Sequence, residues 1–199
     1  MLPEALATAR AIQHEYYRAE ALATARTLQD EYHCAQLLST LSDKLPPELL
    51  PEALAAARAI QHEYYRADAL SALADKLPEL LPEALAAARA IQYGPNRTWL
   101  LSALADKLPP DLLPEALAAA RTLQDKYRRA DALSALADKL SKMEPDKLLS
   151  LWQDTLHLLS LHTRRDLLRD IAALIPVICV LGERAAVAEV ASAIQDVGR

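Results

Sequence analysis

A phrase that restarts at a fixed interval constrains this chain more than any other feature. PEALAAARAIQ begins at Pro51 and again at Pro82, and PEALAAART begins at Pro114. The acids that open these phrases and their earlier counterpart, Glu20, Glu52, Glu83 and Glu115, are spaced 32, 31 and 32 residues apart. A period of this size describes supersecondary units that are each buried by their neighbours, rather than one globular core. EALATAR is also spelled at both Glu4 and Glu20, a spacing of 16, so each unit reads as two similar helices.

The residues between the phrases are helical in pattern. Hydrophobic residues make up 52% of the chain but aromatics only 5%, with no Phe, so the apolar content is largely Ala and Leu, both strong helix formers. Pro51 suits a first helical turn, where its missing N–H is no loss, and Glu52 complements the positive helix end. Leu50, Leu54, Ala57 and Ile60 or Gln61 lie on one side of a first helix; Ala67, Leu70, Leu73, Ala74 and Leu77 lie on one stripe of a second. The turn between them is expected within His62–Tyr65, because the third copy carries Gly94-Pro95 there. Lys44-Leu45-Pro46-Pro47, Lys76-Leu77-Pro78 and Lys107-Leu108-Pro109-Pro110 form the turns between units, and the proline missing from the middle one accounts for the spacing of 31.

The first helices are expected from about Pro3 and about Tyr16, and a third over Glu31–Lys44. After Leu140 the phrase stops. Glu144-Pro145-Asp146 opens a leucine-rich helix, Thr163 to Asp166 resembles a capping box, Pro176 is expected to kink the helix that follows, and Glu183–Val197 reads as a last amphipathic helix closed by Gly198. The expected fold is therefore all-α: a right-handed α-solenoid of two-helix repeats, similar in kind to tetratricopeptide and HEAT arrays, over 1–140, with a helical cap over 141–199. The chain enters the repeat in mid-phrase, which reads as a fragment of a longer protein.

Little in the pattern carries chemistry. A net charge of -5 with interspersed acids and bases disfavours nucleic acid as a partner. No apolar run is long enough to span a membrane and no secretory signal is present, which leaves the cytoplasm as the expected location. Cys34 and Cys179 read as two free buried thiols. His14-Glu15 and His62-Glu63 begin the zinc-protease pattern, but Arg18 and Arg66 stand where its second His belongs; His157 and His162 point to different helix faces. No catalytic residue, metal or cofactor is assigned.

Candidate binding residues come from recurrence and from departure. Arg58, Arg89 and Arg121, with Arg10 and Arg26 earlier, repeat on the first helix, and Asp43, Asp75, Asp106 and Asp138 on the second. Stacking would make each set a ladder, either a solvated rim paired between repeats or a ligand-reading face. In the third copy Trp99 replaces the Asp of Asp68 and Asp131, with Tyr93 and Arg97 beside it. Exposed, these are residue types of binding hot spots; buried, Trp99 would fill the space left by Tyr64 and Tyr65.

With PEALAAARAIQ, YYRADALSALADKL and the tail DLLRDIAALIPVICVLGERAAVAEVASAIQDVGR in hand, the chain resembles the helical repeats in C-terminal regions of bacterial signal-transducing NTPases of the NACHT or NB-ARC type. The resemblance implies a sensor region that engages a ligand or another protein. The tetratricopeptide pattern W-x2-L-G-x2-Y is absent, and the unit is shorter than in tetratricopeptide or HEAT arrays. Two other readings stand beside it: a structural spacer between an NTPase and an effector, and a HEAT-like lyase or nucleic-acid enzyme, which the acidic balance disfavours.

Overall fold

The computed structural model describes residues 30–182. The helices expected from about Pro3 and Tyr16, the Arg10, Arg26 and His14 positions, and the helix expected over Glu183–Val197 lie outside the described residues. Among the described residues the fold is all-helical, without a strand. We label the helices α1 (Glu31–Leu41), α2 (Leu50–Ala59), α3 (Glu63–Leu73), α4 (Leu81–Ala90), α5 (Gly94–Ala105), α6 (Leu113–Arg121), α7 (Lys126–Leu140), α8 (Pro145–Leu159) and α9 (Arg164–Ala173). Packing divides the chain into two units, one up to Ile91 and one from Gln92.

The phrase explains how α2, α4 and α6 start. Leu50, Leu81 and Leu113 are each followed by a proline in the first turn and then an acid, and each helix carries an Arg in its last turn, which suits both ends of the helix dipole. α2 and α4 stop without Gly or Pro. Ile60 and Ile91 swing to extended backbone, at φ -64, ψ 124 and φ -64, ψ 119. Both side chains are buried, so leaving the helix is what delivers them to the core. The Arg66 guanidinium then collects the freed carbonyls of Ile60 and Gln61, each at 3.0 Å. This moves the turn ahead of its expected place: α3 has begun by Glu63, and in the third copy Gly94-Pro95 are the first residues of α5 rather than the turn itself.

In the first unit α3 packs against α1, α2 and α4. A helix covered on three sides buries more than one stripe, and Ala69 and Ser71 are buried together with Ala67, Leu70 and Leu73. Leu54 and Leu77, expected in the core, are only partly covered. Ala53, Ala57, Ala84 and Ala88 are fully buried, and their small side chains let backbones approach. Each fully buried Leu contributes about 1.5–3 kcal/mol. In the second unit α7 occupies the same kind of position, against α5, α6 and α9, while α6 also meets α8.

Toward the C-terminal side Thr163 caps α9: its Oγ1 accepts from the Asp166 N–H at 3.3 Å and donates to Asp166 Oδ2 at 2.8 Å. The expected pair is present, though Asp166 closes it through the hydroxyl. α9 ends at Ala173, and Leu174 (φ -102, ψ 14) breaks it two residues before Pro176, whose ring would strike the carbonyl four residues back. Helical backbone resumes over 175–182 with Val177 and Ile178 inward. Cys179 follows them on the outside and is exposed, while Cys34 is buried; both thiols are free. The expectation of two buried thiols is thus corrected for Cys179.

Candidate functional site

Tyr93, Arg97 and Trp99 fall in and just before the first turns of α5. Tyr93 is its N-cap (φ -74, ψ 109) and is 65% exposed, and Trp99 is 52% exposed. Exposure of that size is what a contact residue needs. Between them Thr98 is buried against α7 and its Oγ1 donates to the Arg128 carbonyl at 3.4 Å. Arg97 is half-buried; its Nε is hidden with no acceptor, and that burial pushes the guanidinium below its ordinary range.

The three repeated arginines, alike in sequence, sit in unlike surroundings. Arg58 forks Glu83 of the next first helix, Nε to Oε1 at 2.9 Å and Nη2 to Oε2 at 2.6 Å. That contact holds the Glu83 carboxyl below and the Arg58 guanidinium above its usual range. Arg89 is exposed. Arg121 is half-buried against α8, where Nη1 donates to Thr155 Oγ1 at 3.1 Å. Burial pushes its guanidinium down and the charge of Asp154 pulls it partly back. Asp43, Asp75, Asp106 and Asp138 all face solvent.

Four polar residues that sequence reasoning missed hold the helices together. Glu31 of α1 accepts the N–H groups of Gln61 and His62, both at 2.8 Å, which lowers its pKa. Lys76 Nζ donates to the Leu45 carbonyl at 2.6 Å. Arg129 of α7 meets Asp170 of α9 at 2.7 Å with 2% and 0% of their side chains exposed, and its Nη1 donates to the Leu123 carbonyl at 3.0 Å. Burial pushes the Asp170 carboxyl up, against the pull of the guanidinium. The available signal was register: Arg66, Arg97 and Arg129 occupy one position of the second helix, next to its buried stripe.

The second unit carries two open grooves. One of about 670 Å³ is lined by Pro110, Pro114, Lys142, Met143, Lys147 and Leu151 among others, and one of about 300 Å³ by Leu149, Trp152, Leu156, Ile171, Ile178 and Leu181. Among the described residues no three His, Cys, Asp or Glu side chains gather as a metal site would require, and no helix is long and apolar enough to cross a membrane. Compared with family models, with curated proteins and with solved structures, the chain finds no match.

Proposed function

We propose that this chain is a recognition surface for another protein, built on a right-handed α-solenoid of two-helix repeats over 1–140 and closed by a helical cap over 141–199. The solenoid reading is supported by the 31–32-residue period and by helices that, within each unit, pack mainly against near neighbours in sequence. The resemblance to sensor regions of NACHT and NB-ARC NTPases supports reading this surface as part of a cytoplasmic signalling protein, and no catalytic role is proposed.

One observation carries the binding reading. Two large aromatic residues, Tyr93 and Trp99, stand exposed in the copy of the second helix whose opening, Gly94-Pro95-Asn96, carries neither an acid nor a tyrosine. A half-exposed Trp supplies amphipathic contact area at low entropic cost, and such residues contribute about 2 kcal/mol or more at interface centres.

Trp99→Asp, which restores the residue of Asp68 and Asp131, is the test. The chain is used as bait, a retained protein is identified and its affinity measured for both forms. The expected loss is about thirtyfold, with the thermal midpoint unchanged. Equal affinity removes Trp99 from the surface, and no selective retention by either form favours the spacer.

A further inference from the structure

α5 has lost a carboxylate that another copy uses, and the backbone that carboxylate would satisfy has no acceptor among the described residues. In register, Glu31, Glu63, Gly94 and Lys126 occupy the same place at the start of the second helix. Glu31 reaches across to the following loop and takes the N–H groups of Gln61 and His62 at 2.8 Å each. The corresponding loop in the second unit is Leu123-Gln124-Asp125, beside Gly94: a Cβ built on Gly94 would lie 3.9 Å from Leu123 Cδ2.

The two loops have the same form. His62 and Asp125, the N-caps of α3 and α7, have φ -70, ψ 119 and φ -72, ψ 121. Gln61 and Gln124 each turn their side-chain amide back to the carbonyl two residues earlier, at 3.0 and 3.4 Å. Yet among the described residues the Gln124 and Asp125 N–H groups meet no acceptor. Asp125 does not substitute for the lost acid, because its own carboxylate accepts from the Tyr127 and Arg128 N–H groups further along, at 2.9 Å each. Both residues are exposed.

We infer that the Gln124 and Asp125 amides, opened by glycine at position 94, form a docking point for a carboxylate carried by a peptide segment of a partner protein. The occupant's chemistry is fixed by what Glu31 does in its own copy: two successive N–H donors each take one oxygen of a single carboxylate. The surrounding charge is mixed. Asp125 repels an incoming acid, but its charge is held on two amides, while Arg128 is exposed nearby and the half-buried Arg97 lies one turn along α5 from Gly94. This point is separate from Trp99, which stands five residues on from Gly94 and about 140° round the helix. It therefore does not depend on the Trp99 reading.

The test is a titration followed by amide NMR on the full chain, with acetyl-Ala-Glu-Ala-amide as probe. Acetyl-Ala-Gln-Ala-amide is the neutral control, and acetyl-Ala-Ala-Ala with a free C-terminus is a second arm that separates a side-chain acid from a chain end. The Gln124 and Asp125 amides should shift saturably with at least one carboxylate probe and bind the neutral peptide about tenfold or more weakly, as charge-assisted hydrogen bonds require. Gly94→Ala, whose Cβ makes an ordinary contact, should keep the response. Gly94→Glu should abolish it by filling the point from within, while its spectrum stays folded. Shifts that do not saturate, that are matched by the neutral peptide, or that persist in folded Gly94→Glu overturn the inference.

Discussion

The buried pair at the junction of α7 and α9 yields the sharpest prediction. Arg129 and Asp170 are 2% and 0% exposed, their Nε and Oδ2 are 2.7 Å apart, and Nη2 and Oδ1 find no further partner. Asp170→Leu strands a guanidinium in the core, which should cost about 3–5 kcal/mol. Arg129→Met strands a carboxyl that can take up a proton, the direction in which burial already drives it, and should cost less, about 1–3 kcal/mol. The double variant loses both desolvated charges at once and only the bond to the Leu123 carbonyl goes unreplaced, so it should lie within about 1–2 kcal/mol of the parent. The cycle then gives a coupling of about 4–5 kcal/mol at the midpoints of these ranges, and not less than about 2 kcal/mol. Urea unfolding measures the total, and hydrogen exchange of the α9 amides measures the junction itself, since a repeat chain need not unfold in one step. Single variants that each cost under about 1 kcal/mol, or a double variant as poor as the sum of the singles, would refute the assignment of this pair as the clamp on α9.

Leu70→Ala, at a fully buried position, should cost about 2–5 kcal/mol in chemical denaturation, against under about 1 kcal/mol for the partly covered Leu77. A thiol reagent should modify the exposed Cys179 at once and Cys34 only on unfolding, because burial, then the charge of Glu31, raises the Cys34 pKa. Stability should fall on acidification: Glu83 is lowered by Arg58, Asp166 by the Thr163 hydroxyl and Asp125 by the Arg128 amide. Such groups stabilise above the ordinary carboxylate range and lose that effect as pH drops through their lowered values. Asp170 has the opposite sign. Its raised pKa gives a contribution present below the ordinary range and lost as pH rises through the raised value, and Asp170→Asn should flatten that part of a melting profile recorded against pH.

The helical class and the starts of α2, α4 and α6 were legible because local residues set them: Pro51, Pro82 and Pro114 mark first turns, and Ala and Leu favour the rest. Thr163 was legible for the same reason, as a cap made with a residue three places on. Helix ends were not. Ile60 carries no local stop signal, and what ends α2 is burial of that side chain together with a guanidinium six residues away. The candidate surface was half legible: register with Asp131 put Trp99 outward, and it is exposed. The same register made Arg58, Arg89 and Arg121 look equivalent, which their neighbours undo, since Glu83 meets the first and Thr155 the last. Arg129 and Asp170 stand 41 residues apart, in a repeat and in a segment without one, so no period relates them.

One position of the second helix shows where the differences among near-identical copies arise. It holds Cys34, Arg66, Arg97 and Arg129 in turn. Arg66 uses its donors on loop carbonyls of its own hairpin, Arg97 leaves its Nε without an acceptor, and Arg129 adds a buried acid to the carbonyl contact. The acid comes from α9, where Asp170 lies seven residues past the Thr163 cap; at the same distance past the Asp125 cap α7 has Ala132. The arginine is therefore a common socket, and the neighbour decides whether it is closed by charge, by backbone or left open. Gly94 acts in the same way by subtraction, removing a carboxylate from one loop while the phrase around it continues. Chemistry in such a chain follows from the few departures set against a constant frame, and in α5 Gly94 and Trp99 are such departures on either side of Arg97, which α3 and α7 share.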